Sequence, residues 1–439
     1  MSMLTRMIGL TFTLAGCGGG GTAPIAEATA PTSLASSSAY GSGALALYTQ
    51  ASGIQGIAPG RVLINRALLR RLSATADTTA PIQSELAATS LRNISGVSID
   101  ADHDVGAAFD YRDTRISLFR ASTGAELSIY NTQDITSALT LSFGGAKGVY
   151  VSGVILDIAN QQMIAATSRG FMIIDYQDPA RPTLLREVSS LERDAQNGVE
   201  IVEHFALHPT LPVGTRTQRI ILTGGNYLNR TGVALALIDA ASAEVYRPDN
   251  ATAALFLLDQ YIDSIAIDVQ YHIALLSDEG AGLTWVDVAQ LQLNRDNHTY
   301  HLPATAVMRD ANIKHYTQIA ITPHTHLVFL GARAPAQRYF IAELTPPSQG
   351  LGFTRRTPEL TMPDITLANG KLVPWFGALE PHGVAAMSVG TQSRGLWMND
   401  KNTVVAIFDL DSIFRDAPNQ ANYNPLSSTP PALNYNVLP

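Results

Sequence analysis

Three histidines in this chain could form a transition-metal site. His204, His315 and His382 each stand near the start of an apolar run that contains alanine. Neutral imidazole nitrogens suit Zn, Cu, Fe or Ni, so their convergence would create such a site. Side chains alternate between the two faces of a strand, and this alternation puts His204 and His382 on one face and His315 on the other. The alternative is that these imidazoles hydrogen-bond neighbouring loops.

Two large aromatic residues form a candidate binding anchor. Trp375 and Phe376 lie between Pro374 and Gly377, shortly before His382. Aromatic side chains dominate binding hot spots, so the pair could hold a ligand or a partner. The alternative is a loop that folds over the protein as a plug. Apart from a possible transition metal, no cofactor is indicated, because the chain lacks the standard catalytic, phosphate-binding and dinucleotide-binding signatures.

We expect the other histidines and Trp285 at structural positions, without a role in binding or catalysis. His208 stands beside Pro209 and is expected in a solvated turn, while His298 and His301 belong to a polar loop. Trp285 lies inside an apolar run and is expected to pack in a core.

Composition excludes several classes of protein. The chain has 439 residues, is 46% hydrophobic and carries a net charge of −8. Such a chain can bury a full core, and the absence of clustered Lys and Arg disfavours binding to nucleic acid. Its single cysteine rules out an internal disulfide and a cysteine-cluster metal site.

The amino terminus resembles a bacterial lipoprotein signal. A short apolar run over 7–15 leads into Leu14-Ala15-Gly16-Cys17 and is too short to span a membrane. The resemblance implies residues 1–16 as a signal peptide and Cys17 as the lipidated residue. Gly18, in place of an aspartate, favours the outer membrane. Residues 17–43 are mostly Gly, Ala, Ser, Thr and Pro, which predicts a flexible linker. The alternative is an incidental cysteine in an ordinary signal peptide.

Beyond the linker, short apolar runs separated by turn residues predict an all-β fold. The best candidate for a helix is the stretch 61–72. Six apolar runs recur at similar spacing, and five of them close on an acid. The runs end at Arg120, Asp175, Asp239, Asp287, Glu343 and Asp409. Their mean spacing of about 58 residues is compatible with a four-stranded unit and long loops.

Two of these segments resemble bacterial β-propeller repeats. The segment from Gly170 to Leu184 is similar to the LVIVP pattern, and the segments 380–385 and 396–409 are similar to the YVTN pattern. The resemblance implies a β-propeller of four-stranded antiparallel blades over residues 44–415, followed by a tail over 416–439. Six visible repeats favour six blades, and seven is the alternative if residues 44–91 supply another.

The stretch around Glu203 and His204 loosely resembles the inner strands of lactonase-type propellers. That resemblance implies an acid/base role for the two residues at the mouth of the central channel. The leading functional prediction is a lipid-anchored envelope propeller that binds an envelope protein or a small-molecule ligand, or acts as an assembly scaffold. The alternative is a propeller enzyme, lactonase-like or metal-dependent, centred on the histidines and Glu203.

Overall fold

The architecture comes from a computed structural model of the chain. It describes residues 34–36, 45–48, 61–64, 85–88, 90–91, 96–100, 102–109, 114–120, 124–132, 151–167, 170–189, 204–224, 235–256, 262–278, 280–322, 325–332, 338–361, 365–366, 372–373, 384–389, 392–398, 404–416 and 433–437.

Seven antiparallel sheets follow one another along the described chain. Sheet 1 contains β1 (Leu34–Ser36), β2 (Leu45–Tyr48), β3 (Arg61–Ile64) and β4 (Glu85–Ala88); sheet 2 contains β5 (Gly96–Asp100), β6 (Val105–Phe109), β7 (Arg115–Arg120) and β8 (Glu126–Asn131); sheet 3 contains β9 (Val151–Asp157), β10 (Gln162–Thr167), β11 (Gly170–Asp175) and β12 (Thr183–Ser189). Sheet 4 contains β13 (His204–Val213), β14 (Arg216–Gly224), β15 (Leu235–Asp239) and β16 (Val245–Pro248), followed by helix α1 (Asn250–Leu255).

The second half of the chain continues the pattern. Sheet 5 contains β17 (Ile262–Asp268), β18 (Ile273–Asp278), β19 (Gly282–Asp287) and β22 (Val307–Asp310). Between β19 and β22 the chain forms a hairpin of β20 (Gln292–Asn294) and β21 (Thr299–His301), which joins sheet 4. Sheet 6 contains β23 (Tyr316–Ile321), β24 (Leu327–Ala332), β25 (Arg338–Leu344) and β26 (Phe353–Arg356), with β27 (Leu360–Thr361) also paired to β25. A hairpin of β28 (Ile365–Thr366) and β29 (Leu372–Val373) precedes sheet 7, which contains β30 (Val384–Val389), β31 (Gln392–Met398), β32 (Val404–Asp409) and, after helix α2 (Leu410–Asp416), β33 (Leu433–Val437).

The first strands bring the sheets together. Strand β5 lies beside β1 and β9, β13 lies beside β9 and β17, and β23 lies beside β17 and β30. Strand β30 in turn lies beside β1, so the last sheet meets the first. This arrangement, with consecutive strands paired antiparallel within each sheet, is consistent with a β-propeller.

The hydrophobic core lies between neighbouring sheets. Leu118, Met163 and Met172 are buried where sheets 2 and 3 face each other. Trp285 is buried with residues of sheet 6 and meets the Phe353 ring edge-on with centroids 4.8 Å apart, which confirms its predicted packing role. Because both faces of an intervening sheet pack on a neighbour, its strands read as continuous apolar runs.

An inserted hairpin joins sheet 5 to the outer edge of sheet 4. Strand β21 pairs with β16 in parallel, and the backbone N–H of Asp249 donates to the carbonyl of Tyr300 at 2.9 Å. The buried Tyr300 and Phe256 fill the space beneath the hairpin. The hairpin therefore extends sheet 4 to six strands and covers the edge that β16 would otherwise expose.

One element of the sequence prediction was wrong. The stretch expected to begin a helix at Arg61 is strand β3, which pairs with β2 and β4. Pairing with two neighbouring strands outweighs a weak local helix preference. Within the described residues, no helix has the length and apolar character needed to cross a membrane.

Candidate functional site

The structure places only part of the predicted histidine site. His204 is the first residue of β13 and pairs with Gly224, while His315 directly precedes β23. The His315 side chain is exposed, and its backbone is left-handed with φ of 68°. Glu203, His382, Trp375, Phe376 and Cys17 lie outside the described residues. The acid/base pair, the three-histidine site and the aromatic anchor therefore stay predictions.

The described residues contain no group of three or more His, Cys, Asp or Glu side chains that could hold a metal ion. The described residues show instead a series of polar contacts toward the other end of the first strands, where these strands finish. We call five polar residues of this region the junction residues: Asp100, Asp157 and Asp268, which end their strands, Thr322, which follows β23, and His208, which lies within β13 where its register shifts. All five are buried, and each belongs to a hydrogen-bonded group that reaches the next sheet.

The Asp100 carboxylate joins sheet 2 to sheet 3. It accepts the Tyr176 hydroxyl at 2.7 Å and lies 2.7 Å from Nδ1 of His103. Its other oxygen accepts the backbone N–H groups of Asp102 and His103, which closes the turn before β6. Burial raises the pKa of the Tyr176 hydroxyl, and the hydrogen bond to Asp100 raises it further, so Tyr176 stays a donor.

A buried ion pair joins sheet 3 to sheet 4. The Arg219 guanidinium lies 3.0 Å from the Asp157 carboxylate and also donates to Gln162 Oε1 and to the carbonyl of Ala240. Asn160 supplies a further donor to Asp157. Burial raises the pKa of Asp157, while Arg219 and Asn160 oppose that rise. The carboxylate therefore depends on these partners for its charge.

Two imidazoles join sheet 4 to sheet 5. His208 Nε2 lies 2.9 Å from His272 Nδ1, and the rings stack with centroids 5.0 Å apart. His208 is fully buried, so its predicted place in a solvated turn was wrong. The turn between β17 and β18 covers His208, and the sequence near Pro209 contains no pattern that predicts this contact. Burial, and after it the neighbouring His272, lowers the pKa of His208 to about 3.

An aspartate and a histidine join sheet 5 to sheet 6. His326 Nδ1 lies 2.6 Å from Asp268 Oδ2, and the His326 ring stacks on Tyr271 with centroids 3.6 Å apart. Asp268 Oδ1 accepts the backbone N–H groups of Gln270 and Tyr271, so both oxygens are used. The arrangement orients the imidazole as a general base would be oriented.

Hydroxyl groups join sheet 6 to sheet 7. The Thr322 and Thr325 hydroxyls lie 2.7 Å apart, and Thr325 hydrogen-bonds the Ser393 hydroxyl of β31. The backbone N–H of Ser393 donates to Asp411 of α2 at 2.6 Å.

Local turn chemistry explains why the junction residues recur. In sheets 2, 3, 5 and 6 the turn after the first strand is short, and a residue with left-handed φ precedes the second strand. These residues are Asp104, Gln161, His272 and His326, with φ between 49° and 60°. An aspartate at the strand end stabilises such a turn by accepting backbone N–H groups. The same side chain then meets a residue of the next sheet, so one position both closes the turn and joins two sheets.

The acids that end the third strands have a similar local role. Asp175, Asp239 and Asp287 each accept the backbone N–H two residues further on, at 2.8 to 3.1 Å. Glu343 instead lies 3.0 Å from Arg355 on the adjacent strand. The recurring acid noted in the sequence is therefore a turn-forming residue at these sites.

Sequence reasoning missed the contacts between the junction residues and the next sheet, which we call the junction contacts. Their partners are separated by 76, 64 and 58 residues for Asp100–Tyr176, His208–His272 and Asp268–His326. These separations are close to the spacing of the recurring runs, so a search for polar pairs one unit apart could have found them.

No family model matches the chain, and no curated protein matches it. Among solved structures, hydrazine synthase of Kuenenia stuttgartiensis superposes with a TM-score of 0.54 at 12% identity, covering 89% of this chain and 99% of that one. The β-propeller domain of Myceliophteria_thermophila Cps50 (Swd1) gives a TM-score of 0.47 at 13% identity, covering 84% of this chain and 90% of that domain. The hydrazine synthase neighbour is a β-propeller, and at 12% identity its likeness to this chain concerns the fold alone.

Proposed function

We propose that this chain is a lipid-anchored protein of the bacterial cell envelope whose seven-bladed β-propeller acts as a binding or protein-interaction module. The observation that carries the binding role is an asymmetry between the two ends of the sheets. Several connections that enter the first strands, at what we call the entry end, are long. The turns that leave the first strands of sheets 2, 3 and 5, at the exit end, are short and contain or adjoin junction contacts.

The lengths of the connections support a binding face at the entry end. The segments that enter first strands include 132–150 before β9, 190–203 before β13 and 374–383 before β30. The segments that leave first strands include 101–104, 158–161 and 269–272. Loops on a rigid scaffold commonly carry binding specificity, because their sequence can vary without disturbing the core. Trp375 and Phe376 belong by sequence position to one of the long entry segments.

The junction contacts point in the same direction. At the exit end the described buried carboxylates, imidazoles and hydroxyls are engaged in joining one sheet to the next. Groups used in this way stabilise the protein and are not available for a ligand. A binding role at the entry end is therefore the better match to the distribution of polar groups.

Site-specific photo-crosslinking tests the binding face. A benzophenone amino acid placed at Trp375 is expected to capture an envelope protein in intact cells. The matched control places it at Gln270, which is exposed in the short turn of sheet 5. Capture at Trp375 and not at Gln270 is the expected result. Equal capture at both sites, or capture at Gln270 alone, would contradict an entry-end binding face. If a purified Trp375→Ala variant retains a small-molecule ligand that the unmodified protein binds, the aromatic anchor is wrong.

Seven blades are supported by the strand pairing. Each of the seven sheets contains four antiparallel strands that pair in chain order, to which sheet 4 adds the hairpin β20–β21 and sheet 6 adds β27. The first strand of the last sheet lies beside the first strand of sheet 1. Six blades, the number favoured by the recurring runs, would leave β1–β4 without a place in the ring. An experimental structure with six four-stranded sheets around the axis would contradict the proposal.

Lipid anchoring is supported by the sequence Leu14-Ala15-Gly16-Cys17. We expect the chain to incorporate radiolabelled palmitate and to sediment with outer membranes. Cys17→Ser should abolish labelling and release the chain to the soluble fraction. Gly18→Asp is the matched control, which should keep the label and shift the chain toward the inner membrane. Membrane association that survives Cys17→Ser without any label would contradict the anchor.

A further inference from the structure

We propose that the boundary between sheets 4 and 5 is a proton-sensitive seam, held together while His208 and His272 are both uncharged and loosened when the pair takes up a proton. The inference concerns the fold and does not depend on the lipid anchor or on the binding role.

The hydrogen bonds around His208 require a neutral ring. The backbone N–H of Thr210 donates to His208 Nδ1 at 3.3 Å, so the ring proton resides on Nε2. That Nε2–H donates to Nδ1 of His272 at 2.9 Å. His272 Nδ1 must therefore be an acceptor, and its own proton lies on the far nitrogen of the ring.

An added proton removes one of these hydrogen bonds. If His272 is protonated, its Nδ1–H faces the Nε2–H of His208. If His208 changes tautomer to accept that proton, its Nδ1–H then faces the N–H of Thr210. Either arrangement places two donors against each other within a buried contact, which costs the hydrogen bond and leaves a charge in a poorly solvated place. The stacked rings also bring any new charge directly beside the second imidazole.

Few described groups could compensate that charge. His272 is the titratable group that acts on His208 and disfavours its charged form, whereas a hydrogen bond to the carbonyl of Val269 favours that form without outweighing burial. The pKa of His208 is lowered to about 3 by burial first and by His272 second, which agrees with the geometric argument. A histidine of depressed pKa contributes stability that is present above its ordinary pKa and is lost as the pH falls.

The contact at the boundary between sheets 5 and 6 should survive protonation, unlike the contact between His208 and His272. Nδ1 of His326 faces the Asp268 carboxylate, which accepts its proton whether the imidazole is neutral or charged. The groups that face this pair are the stacked Tyr271 ring and, through Tyr271, the carboxylate of Glu343. Mild acid therefore preserves this contact, and the two boundaries provide an internal comparison.

The outer edge of the seam is also tolerant of acid. Strands β16 and β21 are joined by backbone hydrogen bonds, and His301 Nδ1 lies 2.9 Å from Asp249 Oδ2. An imidazole that meets a carboxylate keeps its hydrogen bond on protonation. Mild acid should therefore open the side near β13 and β17 while the outer edge stays joined, which makes the seam a hinge.

Hydrogen exchange of the full chain at pH 7 and pH 5, corrected for the intrinsic effect of pH on amide exchange, tests the seam. Peptides covering β13 and the turn between β17 and β18 should exchange about 20-fold faster at pH 5, as the pKa difference between about 3 and 6.5 requires. Peptides covering the turn between β23 and β24 should keep their protection. Equal protection at both pH values across the seam would overturn the proposal.

Three variants test whether the histidine pair causes the acid-induced exchange. His208→Gln removes the buried imidazole and should abolish the acid-induced exchange at the seam. His272→Gln leaves His208 buried and removes only its charged neighbour, so it should reduce the acid-induced exchange without abolishing it. His326→Gln is the matched control and should retain the full effect. Should His208→Gln fail to fold, the reduction in His272→Gln is the test. If neither variant changes the acid-induced exchange at the seam, the histidine pair is not its cause and the proposal is wrong.

Discussion

The buried ion pair between sheets 3 and 4 offers the sharpest test of the junction contacts. Arg219→Met preserves the length of the side chain and removes its charge and donors. The side chain of Asp157 is 1% exposed and would keep only the amide of Asn160 as a side-chain donor. Removing one partner of a buried pair costs about 3 to 5 kcal/mol, because the remaining charge is left without compensation.

The free energy of unfolding, measured by urea titration at pH 7, provides the assay. We expect Arg219→Met to lower it by about 3 to 5 kcal/mol. Arg216→Met, at an exposed position on the same strand, is the matched control and should change it by less than about 0.5 kcal/mol. Combining Arg219→Met with Asp157→Asn should cost less than the sum of the single changes by about 0.5 to 3 kcal/mol, because the two side chains interact.

The pH dependence adds a check of the mechanism. Burial raises the pKa of Asp157, and loss of Arg219 should raise this pKa further. A carboxyl whose folded pKa lies above its unfolded value binds protons more readily in the folded state, so acid favours folding within that window. The cost of Arg219→Met should therefore shrink as the pH is lowered. A cost below about 1 kcal/mol, or an additive double variant, would refute the reasoning.

Three further predictions follow from the described contacts, each measured by urea unfolding. Gly282→Ala should cost at least about 3 kcal/mol, because its Cβ would lie 2.3 Å from the carbonyl oxygen of Asp310 at a φ of +103°; Gly350→Ala has the same φ in open space and should cost about 1 to 2 kcal/mol, and equal costs would contradict the steric argument. Asp249→Ala removes the cap of α1 and the contact with His301, so a loss of about 1 to 2 kcal/mol is expected, whereas no loss would show that water replaces both. Asp268→Asn should cost about 1.5 to 3 kcal/mol, since a charged acceptor of three hydrogen bonds becomes neutral, and an unchanged midpoint would exclude a role for its charge.

Much of the strand pattern is readable from the sequence. The six recurring apolar runs are third strands of six sheets, including β11 over Gly170–Asp175 and β19 over Gly282–Asp287. They are readable because a strand covered on both faces must be apolar throughout, and because the aspartate that follows forms a turn with its own backbone. Both causes act within about ten residues of chain.

The errors concern positions whose environment comes from elsewhere in the chain. Arg61 begins a strand because β2 and β4 pair with it on either side. His208 is buried because the turn carrying His272 closes over it. Around the proline beside His208 the register of β13 shifts and the strand continues to Val213, so this proline indicated neither a turn nor the burial of His208.

The sequence by itself determined the all-β character, the turn chemistry at the strand ends and the charge balance that disfavours nucleic acid. These properties depend on side-chain alternation, local hydrogen bonding and composition, which all act over short distances along the chain. Only the tertiary structure decided which polar groups meet, because the sheets bring together residues about one structural unit apart. In the folded chain His208, which the sequence placed alone in a turn, forms a buried pair with His272. Arg219 of β14 likewise becomes the partner of Asp157 of β9.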